Sequence, residues 1–474
     1  MAQGTQTTDD REKASAPASD GRERPPGPAG SPLVGNTFQL VGDPFGFYER
    51  LRDEFDADVV TYTVLGDRAY MLTHPEDVER VLLTDASDFR KGKVFEESLG
   101  RITPNGLVVT EGEQWQRDRT LLQPLFYRER IEAYSETMTA YSRQAVDGWE
   151  SGEPVRIDDA MRDLTLQVFA KTMLGADLES RRAAIRESTN TLFGRFETSS
   201  LLAFLPMWIP TPGNYRAKRA LSRFHDVVDE LIDERRAALS DDSGTLAAPE
   251  GHDRDDLLSL LLTATYEDGT RMDREGVRDQ LMTFLAAGHE TTSLALSYAI
   301  FCLATHPETQ AKLHQELDDT LDGEPTAEAL FELDYLDDVL TETLRLYPPA
   351  FVVFREPKRD VTFQGYDVED GSILSIPQWN VHRDGRWYDD PETFRPERWR
   401  DGLEDELPDY AYFPFGGGPR HCIGMRFALL EAKLALATML RRFEFEAVTD
   451  PPLDLSMQIT LQPEDGIDVV PRER

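Results

Sequence analysis

Cysteine is nearly absent from this sequence: Cys302 and Cys422 are the only two in 474 residues. A disulfide framework is therefore excluded, and so is a zinc or iron–sulfur site built from clustered thiolates. Lysine is also scarce, with 8 against 43 arginines, and 88 acidic against 51 basic residues leave a formal charge of −37. Such a field argues against nucleic acid and anionic membranes as partners. Because the excess carboxylate runs through nearly every segment, it points to a surface adapted to high salt rather than to an ordinary acidic cytosolic one. No stretch approaches the roughly 20 continuous apolar residues of a spanning helix. The first 30 residues lack the apolar run of a signal peptide. The expectation is a cytoplasmic protein without a membrane anchor.

What is present suffices for a large core, since 40% of the residues are hydrophobic. Residues 1–30 have no aromatic or β-branched apolar side chain and are expected to be a disordered tail. Residues 31–474 then form one domain. A helix over 43–55 would bury Phe45, Tyr48, Leu51 and Phe55, and the runs of 58–72 flank a turn at Leu65-Gly66-Asp67. Helical periodicity predicts helices near 75–84, 113–122, 127–149, 159–175, 216–239, 273–305, 307–321, 328–346 and 423–442. A second strand-rich stretch covers 351–376. With neither βαβ alternation nor internal repeats, the fold class is mainly α with small separate β-sheets. The apolar segment "LLAFLPMWIP" (201–210) reads first as core, and alternatively as a lid over a binding cleft.

The helix at 273–305 is apolar around nearly its whole circumference, which means burial, and Asp273 can cap it. Its middle, "AAGHETT" (286–292), breaks that pattern. A mid-helix glycine costs up to about 1 kcal/mol relative to alanine, and a buried glutamate needs a partner. One reading is a local kink with satisfied hydroxyls. The functional reading is that Gly288 makes room for a ligand beside which Glu290 and Thr291 handle protons. A zinc-protease helix is excluded, because Ser293 stands where the second histidine would be. In "ETLR", Glu342 and Arg345 are spaced to pair on one helical face, and Arg398 of "FRPERW" could join them in a buried polar network. Trp115 and Arg119 of "WQRDR" lie one turn apart, either as surface stacking or as two donors to one carboxylate.

Cys302 sits among apolar residues at helical spacing and reads as core. Cys422 lies in "FGGGPRHCIG" (415–424), where His421 spoils a dinucleotide-binding glycine pattern. A lone thiolate can hold one axial position of haem iron, where it donates electron density and favours O–O cleavage. The glycines would let the backbone approach and aim N–H groups at the sulfur.

With these motifs in this order, the sequence resembles the cytochrome P450 family of haem-thiolate monooxygenases over about residues 31–474. The "LMTFLAAGHETTS" helix is most similar to the fatty-acid hydroxylases and the microsomal type. The resemblance implies the P450 fold, with haem b between the long central helix and the cysteine-loop helix. It implies Cys422 as the iron ligand, with Phe415 and Gly424 beside the sulfur. Trp115, Arg119, Arg355, Arg420 and Lys91 would neutralise the haem propionates. Glu290 and Thr291 would supply protons to the dioxygen being activated, and Glu342, Arg345 and Arg398 would hold the fold. Val108, Phe204, Ala286, Ala287, Phe351 and Val352 would line the substrate cavity. The implied reaction inserts one oxygen atom of O2 into an apolar small molecule, a fatty acid or an isoprenoid. Electrons would come from a separate ferredoxin-type donor and its reductase, docked over Cys422 on Arg426, Lys433, Arg441 and Arg442. A peroxygenase and a non-catalytic haem sensor are the alternatives.

Overall fold

Asp273 does start the central helix: its carboxylate accepts from the Gly276 N–H at 2.7 Å, and Arg274–Thr305 then runs through the main core. Pro307, which opens the next helix (Pro307–Thr320), ends it. These coordinates come from a computed structural model, which describes residues 24–201, 205–240, 256–400 and 402–474. The helix Ile157–Leu174 packs closely along the central helix, and Thr165 donates to the His289 carbonyl at 3.0 Å. This contact corrects the reading of Gly288. A Cβ there would stand 2.7 Å from the ring of buried Phe169, so the missing side chain admits a neighbouring helix rather than a ligand. The final helix, Met425–Arg442, packs on the central helix and on Ser135–Asp147.

The sheets are small and separate, as expected. The largest has five strands in the order Val59–Val64, Asp67–Leu72, Ile373–Ile376, Val353–Pro357, Phe89–Arg90. Its first two strands form the predicted hairpin, with Val64 opposite Asp67 and both Leu65 (φ +51°) and Gly66 (φ +89°) left-handed, as a tight two-residue turn requires. A three-stranded sheet was not anticipated: Phe443–Ala447 and Asp468–Glu473 near the chain end and, pairing with the latter, the short Val155–Arg156. The hairpin Leu455–Met457/Leu461–Pro463 was also missed.

Several boundaries differ from expectation. Residues 127–149 form two helices, Arg128–Glu132 and Ser135–Asp147, and 75–84 is α-helical only to Glu79 before a π-type turn over Arg80–Thr84. In the first long helix, Pro44–Asp53, the buried face is Phe47, Tyr48 and Leu51, while Phe45 and Phe55 are half-buried. The expected tail does not extend to residue 30, and its residues 1–23 lie outside the described residues. Pro25 is buried, and the Pro26 carbonyl accepts from Thr61 N at 2.8 Å, so these prolines lie as extended chain along the first strand. The described residues of segment 201–210 do not fit the core reading: Trp208 is 74% exposed, and Leu201 and Leu205 are exposed too, although Met207 packs against the core. Phe204 lies outside the described residues. Among the described residues no helix is long and apolar enough to cross a membrane.

Candidate active site

The cysteine loop is shaped by its glycines. Gly418 adopts φ +62°, and a Cβ there would lie 1.8 Å from the Leu82 carbonyl, so the loop seats directly on the π-type turn. The Cys422 N–H donates to the Phe415 carbonyl at 2.9 Å, closing the loop on itself just before the final helix begins at Met425. Of the two thiols, Cys302 is buried at 2% exposure and Cys422 is exposed. The surrounding protein pushes the Cys422 pKa up, against the backbone N–H groups of Gly424 and Met425 and the charge of Arg119. Those opposing groups favour a thiolate, the form that binds a metal.

Around this loop the chain gathers cations that form no ion pair with a carboxylate among the described residues. Arg420 stacks over the Trp115 ring at 4.4 Å and donates to the Thr110 carbonyl at 3.0 Å. Arg355 donates to its neighbour's carbonyl, that of Phe354, at 2.7 Å, and the Lys91 ammonium to that of Val108. Burial and then the charge of Arg420 push Arg355 down to about 10; burial, Arg355 and Arg420 hold Lys91 well below the usual lysine range. Glu111 is the one carboxylate that offsets all three. Arg119, also lowered by burial, donates to Gln123 at 3.1 Å and to the His421 carbonyl at 3.1 Å. Mutually repelling cations beside a thiolate fit a group that brings two negative charges and a metal. A haem with its two propionates is such a group.

The central helix turns one face toward the loop. Phe284 stacks on Phe126 with ring centroids 5.8 Å apart, and Phe126 in turn lies against Gly424, 3.9 Å from where a Cβ would be. On that face, three and seven residues on, stand exposed Ala287 and half-buried Thr291, whose hydroxyl donates to the Ala287 carbonyl at 3.0 Å. Ala286 is half-buried beside them. Glu290, about 100° around the helix, is 2% exposed and held from the other side. Gln462 donates to its Oε1 at 2.8 Å, the Arg162 Nε is 3.4 Å from the same oxygen, and Oε2 has no hydrogen-bond partner. The structure therefore brings Thr291, but not the Glu290 carboxylate, to the face that looks at the cysteine loop.

The third predicted constellation is a closed network. Glu342 accepts from Arg345 Nε and Nη2, both at 2.9 Å, and from Arg398 Nε at 3.0 Å. Trp399 Nε1 and the Arg395 N–H, each at 3.0 Å, complete its five bonds. Glu342 and Arg345 are 0% exposed and Arg398 is 3% exposed. A buried charge survives only when so fully paired.

The family model for cytochrome P450 matches residues 25–470. The chain belongs to the cytochrome P450 family. It is 35% identical to cyclooctat-9-en-7-ol 5-monooxygenase of Streptomyces melanosporofaciens, over 92% of each chain. It is 33% identical to pentalenene oxygenase of Streptomyces avermitilis, over 90% of this chain and 92% of that one. Among solved structures, the retinoic-acid-bound cyanobacterial CYP120A1 superposes with a TM-score of 0.82 at 26% identity, covering 95% of this chain and 99% of that one. The protein is thus a cytochrome P450 monooxygenase with haem b as its cofactor. The haem, when bound, supplies the activation of dioxygen from which one oxygen atom enters an apolar substrate.

The other residues expected to line the cavity of this P450 divide. Val352 is half-buried, whereas Phe351 is 6% exposed and committed to a core cluster with Phe47, Trp379 and Met457. Val108 accepts from the Lys91 ammonium through its carbonyl. Sequence reading missed Arg162 and Gln462, the partners of Glu290, and Trp399, the fourth side-chain bond to Glu342. Arg162 left a signal: it is the one cation on the buried face of its helix, beside Met161, Leu164 and Leu166.

Proposed function

We propose that this P450 oxygenates an isoprenoid-type substrate rather than a straight-chain fatty acid. The observation that carries it is the face of the central helix at Ala286, Ala287 and Thr291, small and apolar save for one hydroxyl, which suits a bulky carbon frame held close to the haem. The two Streptomyces relatives, named for cyclooctat-9-en-7-ol and pentalenene, support the same class. In this reading Cys422 ligates the iron, and Lys91, Trp115, Arg119, Arg355 and Arg420 neutralise the propionates. Thr291 would hold a proton-donating water on the face turned to the cysteine loop, and Glu290 would pass protons toward it from the Arg162 side. That relay favours a monooxygenase over a peroxygenase or a sensor, neither of which needs it.

A ferredoxin-type donor would dock over Cys422. Of the four cations expected there, Lys433 pairs with Asp337, and Arg442 with Asp147 and Glu473. Arg426 and Arg441 are the two left without ion pairs among the described residues, and they form the reduced patch. The substrate reading is tested by titrating the purified holoprotein with terpenoid alcohols and with straight-chain fatty acids while following the haem spin state. Terpenoids should shift the Soret band; a shift with fatty acids alone overturns the reading.

A further inference from the structure

Gln280 is fully buried in the central helix, four residues before Phe284 and on the same stripe as Ala287 and Thr291. Its Oε1 accepts from the Leu107 N–H at 3.0 Å, while Nε2 donates to the Asn105 carbonyl at 2.9 Å and to Asp118 Oδ2 at 3.1 Å. Beside it, Asp279 accepts from the Asn105 N–H at 3.0 Å and from Asn105 Nδ2 at 2.9 Å. Between these anchors Gly106 lies directly on the helix, since a Cβ there would stand 2.1 Å from Thr283 Oγ1. One buried amide thus ties the central helix to two other parts of the chain. Removing it would leave Leu107, Asn105 and Asp118 each short of a partner in the interior.

Both arms lead to the cations around the cysteine loop. Past Leu107, the carbonyls of Val108 and Thr110 accept from the Lys91 ammonium and, at 3.0 Å, from Arg420 Nη1. Asp118 belongs to the helix Gly112–Leu122, which carries Trp115 and Arg119. Its carboxylate is 1% exposed and is held from the other side by Gln114 Nε2 at 2.9 Å and the Tyr266 hydroxyl at 2.6 Å. Lys91, Arg355 and Arg420 repel one another, so their positions must be imposed by the groups that hold them.

We infer that Gln280 is a positioning residue of the haem site: through Leu107 and Asp118 it keeps Lys91, Arg420, Trp115 and Arg119 in register with the Ala287–Thr291 face. This rests on the propionate reading above and names the residue that fixes those partners in place.

The test follows the midpoint reduction potential of the holoprotein and the rate of haem transfer to apomyoglobin, in Gln280→Leu, Gln310→Leu and Arg420→Gln. Gln310 is the control, because its buried amide makes the same three kinds of bond elsewhere: to the carbonyls of Leu303 (3.3 Å) and Phe445 (3.0 Å) and from the Phe445 N–H (2.7 Å). Both leucine variants should lose stability. Only Gln280→Leu should also lower the potential, as cations drift from the propionates, and speed haem loss about tenfold, as one lost buried hydrogen bond allows. Arg420→Gln should move both readouts. If it does and Gln280→Leu changes them no more than Gln310→Leu, the inference alone falls; if Arg420→Gln moves neither, the propionate reading falls and the inference with it. Should Gln280→Leu take up no haem, a swapped pair decides. Asp118→Asn sets an N–H group against Gln280 Nε2 and should speed haem loss. Adding Gln280→Glu turns donor and acceptor around at unchanged net charge and should recover part of that loss, and no recovery overturns the inference.

Discussion

Replacing Gly288 by alanine separates the two readings of the central helix. The added Cβ would lie 2.7 and 2.8 Å from two carbons of the Phe169 ring, inside any normal contact. Alanine gains about 1 kcal/mol of helix propensity over glycine, while overpacking a tight interior costs about 1–3 kcal/mol. Gly288→Ala alone should therefore be neutral to destabilising by about 2 kcal/mol. Shrinking the ring with Phe169→Leu removes the clash, and in that background the alanine should be stabilising by up to about 1 kcal/mol. The coupling in the double-mutant cycle, roughly 1–3 kcal/mol, is read from denaturant unfolding of the four proteins at fixed salt. The spectrum and substrate affinity of Gly288→Ala should stay near wild type, because the ring, not a ligand, occupies the space. An equal effect of the alanine in both backgrounds, or a lost spin-state shift without lost stability, would refute the reasoning.

Thr291→Ala should leave substrate binding intact and divert reducing equivalents into hydrogen peroxide; an unchanged product yield per electron removes the hydroxyl from proton delivery. Reversing Arg426 and Arg441 together to glutamate should slow the first electron transfer from an acidic ferredoxin. The same reversal at Lys433 and Arg442, already paired, should slow it less, and an unaltered rate in both would sink the docking patch. At −37 the chain repels itself more as the Debye length grows from about 3 Å at 1 M salt to about 10 Å at 0.1 M. The thermal midpoint should accordingly fall as salt is diluted, and a midpoint indifferent to salt refutes the adaptation to high salt.

Elements with strong local signals were legible. Asp273 and Pro307 bracket the central helix, and Leu65-Gly66 sets the first hairpin, because capping and turn chemistry act on neighbouring residues. Elements carried by tertiary contact were not. The helix Arg182–Gly194 buries Ser188 and Thr189 along with Ile185, Leu192 and Phe193, so its apolar period is broken where hydroxyls turn inward. The strands Leu455–Met457 and Leu461–Pro463 are three residues each, too short for alternation to show. "FEFEA" at 443–447 does alternate, burying Phe443 and Phe445, and was readable. In the site, the type of residue was legible while its direction was not. Glu290 and Thr291 are adjacent in sequence, yet one faces Arg162 and Gln462 and the other the cysteine loop. Gly288 read as space for a ligand because nothing in the sequence places Phe169 opposite it.

The central claim is that Cys422, and not Cys302, holds the iron. The direct measurement is the difference spectrum of the reduced carbon monoxide adduct for wild type, Cys422→Ser and Cys302→Ser. The red-shifted Soret band of thiolate ligation should persist in Cys302→Ser, whose sulfur is buried in the core, and vanish in Cys422→Ser. Loss of the band from Cys302→Ser, or its survival in Cys422→Ser, would contradict the account.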